Sequence, residues 1–191
     1  MRQAGTDVRT PRSPAVVVAV ALPVLLAVAV AVLAIVNRDA GKPLPPTTDT
    51  TPLAAAPVDA PDASGPQCTA LLAALPATLP GGDGQLATRP LADPAPAGVR
   101  AWAAPSRPVV LRCGLPRPAE LTPTSALVVV DGVSWLQLPD DVPDPVQSSW
   151  VAVDRPTYVA VTTPATVGSG PLQAISDAIT ATMPATPIAV R

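Results

Sequence analysis

The side chains of this chain that could do chemistry are carboxylates, hydroxyls, arginines and two cysteines. The 191 residues contain no histidine, and Lys42 is the single lysine. Without imidazole there is no Ser-His or Cys-His nucleophile pair and no histidine metal ligand. A serine–lysine dyad is disfavoured because Lys42 lies in a proline-rich stretch near the N-terminus. The sequence therefore offers no catalytic, cofactor-binding or metal-binding residue that we would assign.

The carboxylates include one small cluster, Asp140, Asp141 and Asp144. A calcium-binding loop would alternate oxygen ligands and end in a distal glutamate, which this stretch does not offer, so we interpret it as a solvated loop. Glu120 is the only glutamate, and no spacing supports its pairing with an aspartate as the acid and base of a glycosidase. A carboxylate-based hydrolase acting on an envelope substrate remains the alternative function.

Three tryptophans stand out in a chain that has one tyrosine and no phenylalanine. Aromatic rings and arginine forks suit contacts with glycans and carboxylates, so these residues are candidates for a ligand patch that binds a cell-wall glycan or an envelope protein. The alternative is that the tryptophans supply the core bulk that phenylalanine would otherwise give. The candidate patch consists of Trp102, Trp135, Trp150, Tyr158, Arg112 and Arg155.

Cys68 and Cys113 are the only cysteines. In an oxidising compartment such a pair predicts a disulfide, which in the chain-entropy model would stabilise the fold by about 4 kcal/mol. Two buried thiols or a redox pair are the alternatives, although the wide separation disfavours a redox site of the CxxC type.

Residues 15–36 contain no charged side chain and are mostly alanine, valine and leucine. As a helix they would measure about 33 Å, enough to cross a hydrocarbon core of about 30 Å. The preceding tail, residues 1–14, carries three arginines and one aspartate, which predicts a cytoplasmic N-terminus and an extracytoplasmic remainder. A cleaved signal peptide is the alternative, but its apolar centre is usually shorter and is followed by a small-x-small site. We expect an uncleaved signal anchor in the cell membrane.

The exported remainder carries a net charge of −4 and has no basic cluster, which argues against nucleic acid as a partner. Its first part, residues 37–66, is rich in proline, alanine and threonine and has no aromatic residue. We expect it to be a disordered, extended linker, since it cannot bury enough apolar surface to offset the entropy of ordering. Such a linker could hold the following domain as far as about 90 Å from the membrane.

The extracytoplasmic domain is expected to span residues 67–187, followed by a short tail, 188–191. Helical spacing predicts a helix over residues 68–79, bent or ended by Pro76, and another over 172–183, while Gly81–Gly84 is expected to be a loop. Together these elements predict an α+β fold in which helices pack on one face of an antiparallel sheet. The predicted strands are residues 85–88, 99–103, 108–115, 125–130, 133–138, 150–153 and 157–162.

The strongest local pattern is the hairpin around Asp131-Gly132, a dipeptide that supplies the positive φ angles of a type I′ turn. The two-residue turn predicts that Val128 faces Trp135, that Val130 faces Val133 and that Leu127 faces Leu136. Since both faces of this hairpin are apolar, we expect it to lie in the centre of its sheet.

Several segments resemble one known family. They are a short membrane anchor, a cysteine at the start of the exported part, Leu111-Arg112-Cys113-Gly114, Asp131-Gly132-Val133-Ser134-Trp135, and Trp150 through Asp154-Arg155 before a closing helix. The chain is similar in these respects, over residues 67–186, to the actinobacterial envelope proteins of domain of unknown function 3515. The resemblance implies location and architecture, and it carries over no activity. We therefore expect a non-enzymatic binding or accessory module for cell-wall or membrane machinery.

Overall fold

The computed structural model describes residues 24, 26–33, 48–82, 84–140 and 142–190. The chain divides into two compact units, Met1–Leu44 and Pro45–Arg191. The first unit contains the whole of the predicted membrane span, of which residue 24 and residues 26–33 are described and helical. In the described part of the chain no helix is both long and apolar enough to cross a bilayer. Residues 1–14, predicted to be a cytoplasmic tail, and residues 37–47 lie outside the described residues.

The described part of the second unit is an antiparallel sheet of eight strands with two α-helices and one short 3-10 turn, Ala165–Val167. Helix α1 is Pro66–Ala74 and helix α2 is Gly170–Thr182. The strands are β1 Thr78–Gly81, β2 Gly84–Arg89, β3 Val99–Trp102, β4 Val109–Leu115, β5 Leu127–Val130, β6 Val133–Gln137, β7 Gln147–Ala152 and β8 Tyr158–Pro164.

The strand order β1-β2-β3-β4-β8-β7-β6-β5 consists of two four-stranded meanders joined through their last strands. After β4 the chain crosses to the far edge, begins β5 there and returns strand by strand until β8 pairs with β4. Every pairing is antiparallel, as the sequence predicts. The α+β class and the antiparallel sheet are thus confirmed.

Both helices pack on one face of this sheet, which we call the helix face. In β4 the alternating residues Val109, Leu111 and Cys113 are buried there. Helix α2 contributes the stripe that its sequence predicts, Leu172, Ile175, Ile179 and Met183, with Asp177 exposed on the other side. Gly170-Pro171 begins α2, also as expected.

The opposite face of the sheet has a smaller apolar cluster. Leu136, Val151 and Val153 form it together with Leu121, and Ile188 from the C-terminal segment packs against them. Arg117 holds that segment by donating from Nε to the carbonyl oxygen of Ala189 at 2.7 Å.

A disulfide joins Cys68 in α1 to Cys113 in β4, as predicted, with the two Cα atoms 5.6 Å apart. Gly114 follows at a φ of 91° and lies against the backbone of residues 62 and 63. A Cβ atom at Gly114 would stand 2.2 Å from the backbone nitrogen of Ala63, so the position requires glycine. The Cys113-Gly114 pair therefore attaches both α1 and the segment that precedes it to the central strand.

At the β1 edge the prediction missed one strand. The helix predicted over residues 68–79 ends at Ala74, before Pro76, as the proline predicts, but Leu79 lies in β1, a strand that we did not predict. The glycine-rich stretch is the turn of a tight hairpin, since Gly81 pairs with Gly84. A glycine-rich stretch shows no alternation of apolar and polar side chains, so this pairing could not be predicted from the sequence.

The hairpin register around Asp131-Gly132 is confirmed at all three predicted pairs, and both turn residues have positive φ angles, 46° and 77°. Its predicted central position is wrong, because β5 forms an edge of the sheet. Val128 is 47% exposed and Val129 is 68% exposed. The apolar character of β5 therefore does not reflect burial.

The segment expected to be a disordered linker differs from that expectation over residues 48–66. The backbone N–H of Leu53 donates to the Pro90 carbonyl at 2.8 Å, and Leu53 forms a parallel bridge with Leu91. Arg89, only 8% exposed, donates to Asp49 at 2.6 Å. These contacts with residues 89–91 hold the segment in place, although its own side chains offer little apolar surface to bury.

Candidate functional site

The candidate patch of six residues is not assembled on one surface. Trp102 and Trp135 are fully buried on the helix face. Their indole N–H groups donate to the Pro76 carbonyl at 3.1 Å and to the Ser176 hydroxyl at 3.0 Å. Both side chains fill the core, and their N–H groups find acceptors inside it. These two tryptophans therefore supply core bulk, which was the alternative to a ligand patch.

Arg155 and its neighbour Asp154 are also buried, at 5% and 9% exposure. Arg155 donates from Nη2 to the Gly132 carbonyl at 2.6 Å, and Asp154 accepts from the Ser134 backbone N–H at 2.9 Å. The pair thus holds the β5–β6 turn against the β7–β8 turn. This contact joins the Asp-Gly-Val-Ser-Trp segment to Asp154-Arg155, so these motif residues have a structural role.

Arg112 and Tyr158 are half-buried on the face opposite the helices. As strand alternation predicts, Arg112 points away from the side of β4 that carries the Cys113 sulfur. Burial lowers the pKa of the Arg112 guanidinium. Since these two residues lie on the other face of the sheet from the three tryptophans, they cannot contact a ligand together with them.

Trp150 is the one member of the patch that lines a cavity. It is half-buried in β7 and forms part of a groove of about 280 Å³ on the helix face, between the β5 side of the sheet and the start of α2. We call this cavity the edge groove. It is mainly apolar, and its lining includes Val128, Val130, Ser148, Trp150, Pro164 and Leu172.

The outer side of β5, which we call the open edge, borders the edge groove. No strand of the described residues pairs with β5 on that side. Because Val130 and Val133 close a two-residue turn, hydrogen-bonded pairs alternate along the hairpin. The N–H and C=O groups of Val129 and Leu127 consequently point away from β6, toward the open edge.

The two edges of the sheet are protected very differently. At the β1 edge the outward positions are Thr78 and Pro80, and Pro80 has no N–H to offer. Helix α2 packs on β1 so closely that a Cβ atom at Gly170 would lie 2.7 Å from the Pro80 carbonyl oxygen. Strand β5 has neither a proline nor a charged residue, the two devices by which proteins usually block edge pairing.

Strand β5 exposes two of its four apolar side chains. Among the described residues outside the N-terminal helical segment, the large exposed apolar side chains are Val58, Val128, Val129, Val142, Val146 and Val190. Val128 and Val129 belong to β5, one on each face of the strand.

Charge near the open edge is acidic. Between Arg117 and Arg155 the sequence contains no basic residue, and this stretch includes β5, β6 and β7. Asp131 follows β5 directly in the hairpin turn, and Asp140 follows the end of β6. The same stretch contains six carboxylates, Glu120, Asp131, Asp140, Asp141, Asp144 and Asp154.

Two further grooves contain no acid–base pair. One of about 570 Å³ at the β1–β2 hairpin is lined by uncharged residues such as Thr48, Leu86 and Ala103. Another of about 300 Å³ has Arg89 and Arg100 among its lining residues. Among the described residues, none that lines the three grooves is an aspartate or a glutamate, and none belongs to a cluster of three metal-binding side chains.

The open edge was not predicted from the sequence, because the apolar run of β5 favours a buried strand. The one feature that indicates an unusual surface is the absence of basic residues from 118 to 154. The order of the strands, which places β5 at an edge, is not written in any local pattern.

Comparison with family models matches residues 20–188 to a family described as a protein of unknown function, DUF3515. Neither the curated proteins nor the solved structures include a match to this chain.

Proposed function

The chain belongs to the DUF3515 family of proteins of unknown function, and on that premise we propose that it is a membrane-anchored bacterial envelope protein that acts by binding a partner and not by catalysis. The partner is a segment of another protein of the cell-wall or membrane machinery, and it binds at the open edge of β5. The observation that carries this proposal is the difference between the two sheet edges, one blocked by Pro80 and one left unblocked.

The anchored location is supported by sequence and by one structural feature. The apolar run 15–36, preceded by a basic tail, has the length and charge pattern of a signal anchor. The Cys68–Cys113 bond accords with an oxidising exterior. Arginines at 2, 9 and 12 favour a cytoplasmic N-terminus, with the folded domain outside the membrane.

Binding is favoured over hydrolysis by the placement of the acids. A carboxylate-based glycosidase needs two carboxyl groups roughly 5 to 9.5 Å apart across a cleft. The lining residues that the structure describes in the three grooves include no carboxylate, and Asp154 is engaged with the Ser134 backbone. The open edge and the edge groove, by contrast, combine unpaired backbone groups, exposed valines and a half-buried tryptophan, which suit peptide recognition.

The proposal is tested by site-specific photocrosslinking in native membranes. A photoreactive residue replaces Val129 in one full-length chain and Val58 in a second, since both valines are exposed and only Val129 lies on the open edge. We expect a discrete crosslinked protein from position 129 and none from position 58. Equal adducts at both positions, or none at 129, would contradict the proposal.

Location is tested separately in intact cells. Added protease should remove the folded domain while the N-terminal tail stays protected. Degradation of the tail together with protection of residues 67–187 would refute the orientation.

A further inference from the structure

We infer that the occupant of the open edge is an extended, apolar segment of a partner protein with basic residues at its ends, which pairs with β5 as an added strand. This inference rests on the proposed function and specifies the chemistry of the partner. It follows from three properties of the same surface, namely its backbone groups, its side chains and its charge.

The backbone groups of β5 specify an extended ligand. Leu127 and Val129 each direct one N–H and one C=O outward, with a two-residue spacing that matches the repeat of a β-strand. A helix satisfies its backbone groups internally and could not use these donors and acceptors. An added strand can use all four, which is the mode of peptide recognition called β-augmentation.

The side chains of β5 specify an apolar ligand on both faces. Val128 lies on the helix face beside the edge groove, so one set of alternate ligand residues would lie near the cavity that Trp150 lines. Val129 lies on the opposite face at 68% exposure, so the other set would cover it. A ligand with valine, leucine or isoleucine in these positions would remove both valines from water.

Charge complementarity specifies basic flanks. Asp131 stands at one end of β5, and Asp140 belongs to the loop that follows the strand's hairpin partner. Arg155, the basic residue beside the turn, is buried with its Nη1 3.9 Å from the Asp154 carboxylate, so its charge is balanced by Asp154 and not by Asp131 or Asp140. A lysine or arginine at either end of the added strand would therefore meet an uncompensated carboxylate.

The same charges disfavour a second copy of this chain as the occupant. Pairing of two β5 edges would bring together two regions that each contain six carboxylates and no basic residue between Arg117 and Arg155. Dimerisation is accordingly one of the outcomes that the test must recognise.

The test measures binding of synthetic peptides to the full-length protein in detergent at low ionic strength. The first peptide has seven residues, with alternating valine and isoleucine between terminal lysines, and the second replaces both lysines with glutamates. The third keeps the lysines but carries N-methyl groups on alternate amides, which removes the donors needed for pairing. We expect the lysine peptide to bind at least tenfold more tightly than either of the others.

Protein variants locate the binding. Val129→Pro removes one of the two outward N–H groups of β5 and should weaken binding of the lysine peptide at least tenfold, whereas Val129→Thr keeps the backbone and should change it less than threefold. Val58→Pro is the control at an exposed valine away from the edge. If Val129→Pro fails to fold, the N-methylated peptide still tests the backbone contact.

Each outcome decides the inference. Equal binding of the lysine and glutamate peptides would overturn the basic partner, and equal binding of the N-methylated peptide would overturn strand addition. Concentration-dependent dimers that Val129→Pro abolishes, without peptide binding, would assign the edge to a second copy. A crosslinked partner at position 129 without binding of any peptide would refute this inference and leave the binding function standing.

Discussion

Asp154 accepts a hydrogen bond at 2.9 Å from the backbone N–H of Ser134, a residue 20 positions earlier in the chain. The contact joins the turn between β7 and β8 to the first residues of β6. It is accompanied by a bond from the Thr186 backbone N–H to the Asp154 carbonyl at 2.9 Å. Asp154 therefore connects the β5–β6 hairpin, the turn between β7 and β8, and the C-terminal segment.

Replacing Asp154 with alanine should destabilise the fold by about 1–3 kcal/mol, because the Ser134 N–H would lose its partner in a largely buried position. Urea denaturation followed by circular dichroism measures the change in the free energy of unfolding. Asp177→Ala, at an exposed site on α2, is the control and should have an effect within about 0.5 kcal/mol. Equal stability of the two variants would show that the Asp154 contact contributes nothing.

Loss of the Cys68–Cys113 bond should cost about 2–4 kcal/mol, since the closed loop joins a helix to the central strand. Cys113→Ala and the double variant with Cys68→Ala are compared with the parent by urea denaturation. The single and double variants should be similarly destabilised, and the unreduced parent should resist alkylation. A Cys113→Ala protein as stable as the parent would contradict the structural role of the bond.

The three tryptophans should differ in how strongly a quencher in solution reduces their fluorescence. Trp102 and Trp135 are fully buried and Trp150 is half-buried, so acrylamide should quench chiefly the Trp150 emission. Trp150→Phe should remove most of the quenchable fraction, while Trp102→Phe should preserve it. Strong quenching that persists in Trp150→Phe would mean that the core around the other two is open.

Trp135 should be far more important for stability than Trp150. Trp135→Ala deletes a fully buried side chain and leaves the Ser176 hydroxyl without its donor, which predicts a loss of about 3–5 kcal/mol. Trp150→Ala should cost less, because part of its surface already faces the edge groove. Thermal or urea unfolding of the two variants decides the order, and the reverse order would contradict the assignment of Trp135 to the core.

The contact of Asp49 with Arg89 should respond to acid. Hydrogen bonds from the Thr51 hydroxyl and backbone, with a contribution from Arg89, lower the pKa of Asp49 below 3.8. A carboxylate with a lowered pKa stabilises the folded contact above its unfolded pKa and loses that contribution as the pH falls through the folded pKa. The NMR signal of the Leu53 amide should therefore hold its position down to about pH 4 and shift below it.

An Asp49→Asn variant tests the same contact at neutral pH. It should increase hydrogen exchange at Leu53, whose N–H donates to Pro90, because the ion pair that fixes the segment is lost. Asp59→Asn, at another exposed aspartate of the segment, should leave that exchange unchanged. Unchanged exchange in Asp49→Asn would show that the backbone bonds alone hold residues 48–53.

The local patterns were sufficient for much of the fold. Leu172, Ile175, Ile179 and Met183 recur at helical spacing and form the buried stripe of α2. The Asp131-Gly132 pair specified the turn and the register of its hairpin, and two cysteines in a chain with no others specified the disulfide. These features depend on residues close in sequence, or on a pairing with a single solution.

Only the tertiary structure decided where β5 lies in the sheet and which of the six candidate residues are buried. An apolar strand has the same composition whether or not neighbouring strands and helices cover it. Strand β5 lies at the edge because β4 pairs with β8, which leaves β5 as the last strand of the order. The same order buries Trp102 and Trp135 under the helices and leaves Trp150 beside the groove. The exposure of a strand that is apolar on both faces depends on which distant segments pack against it, so the residues of β5 alone could not specify it.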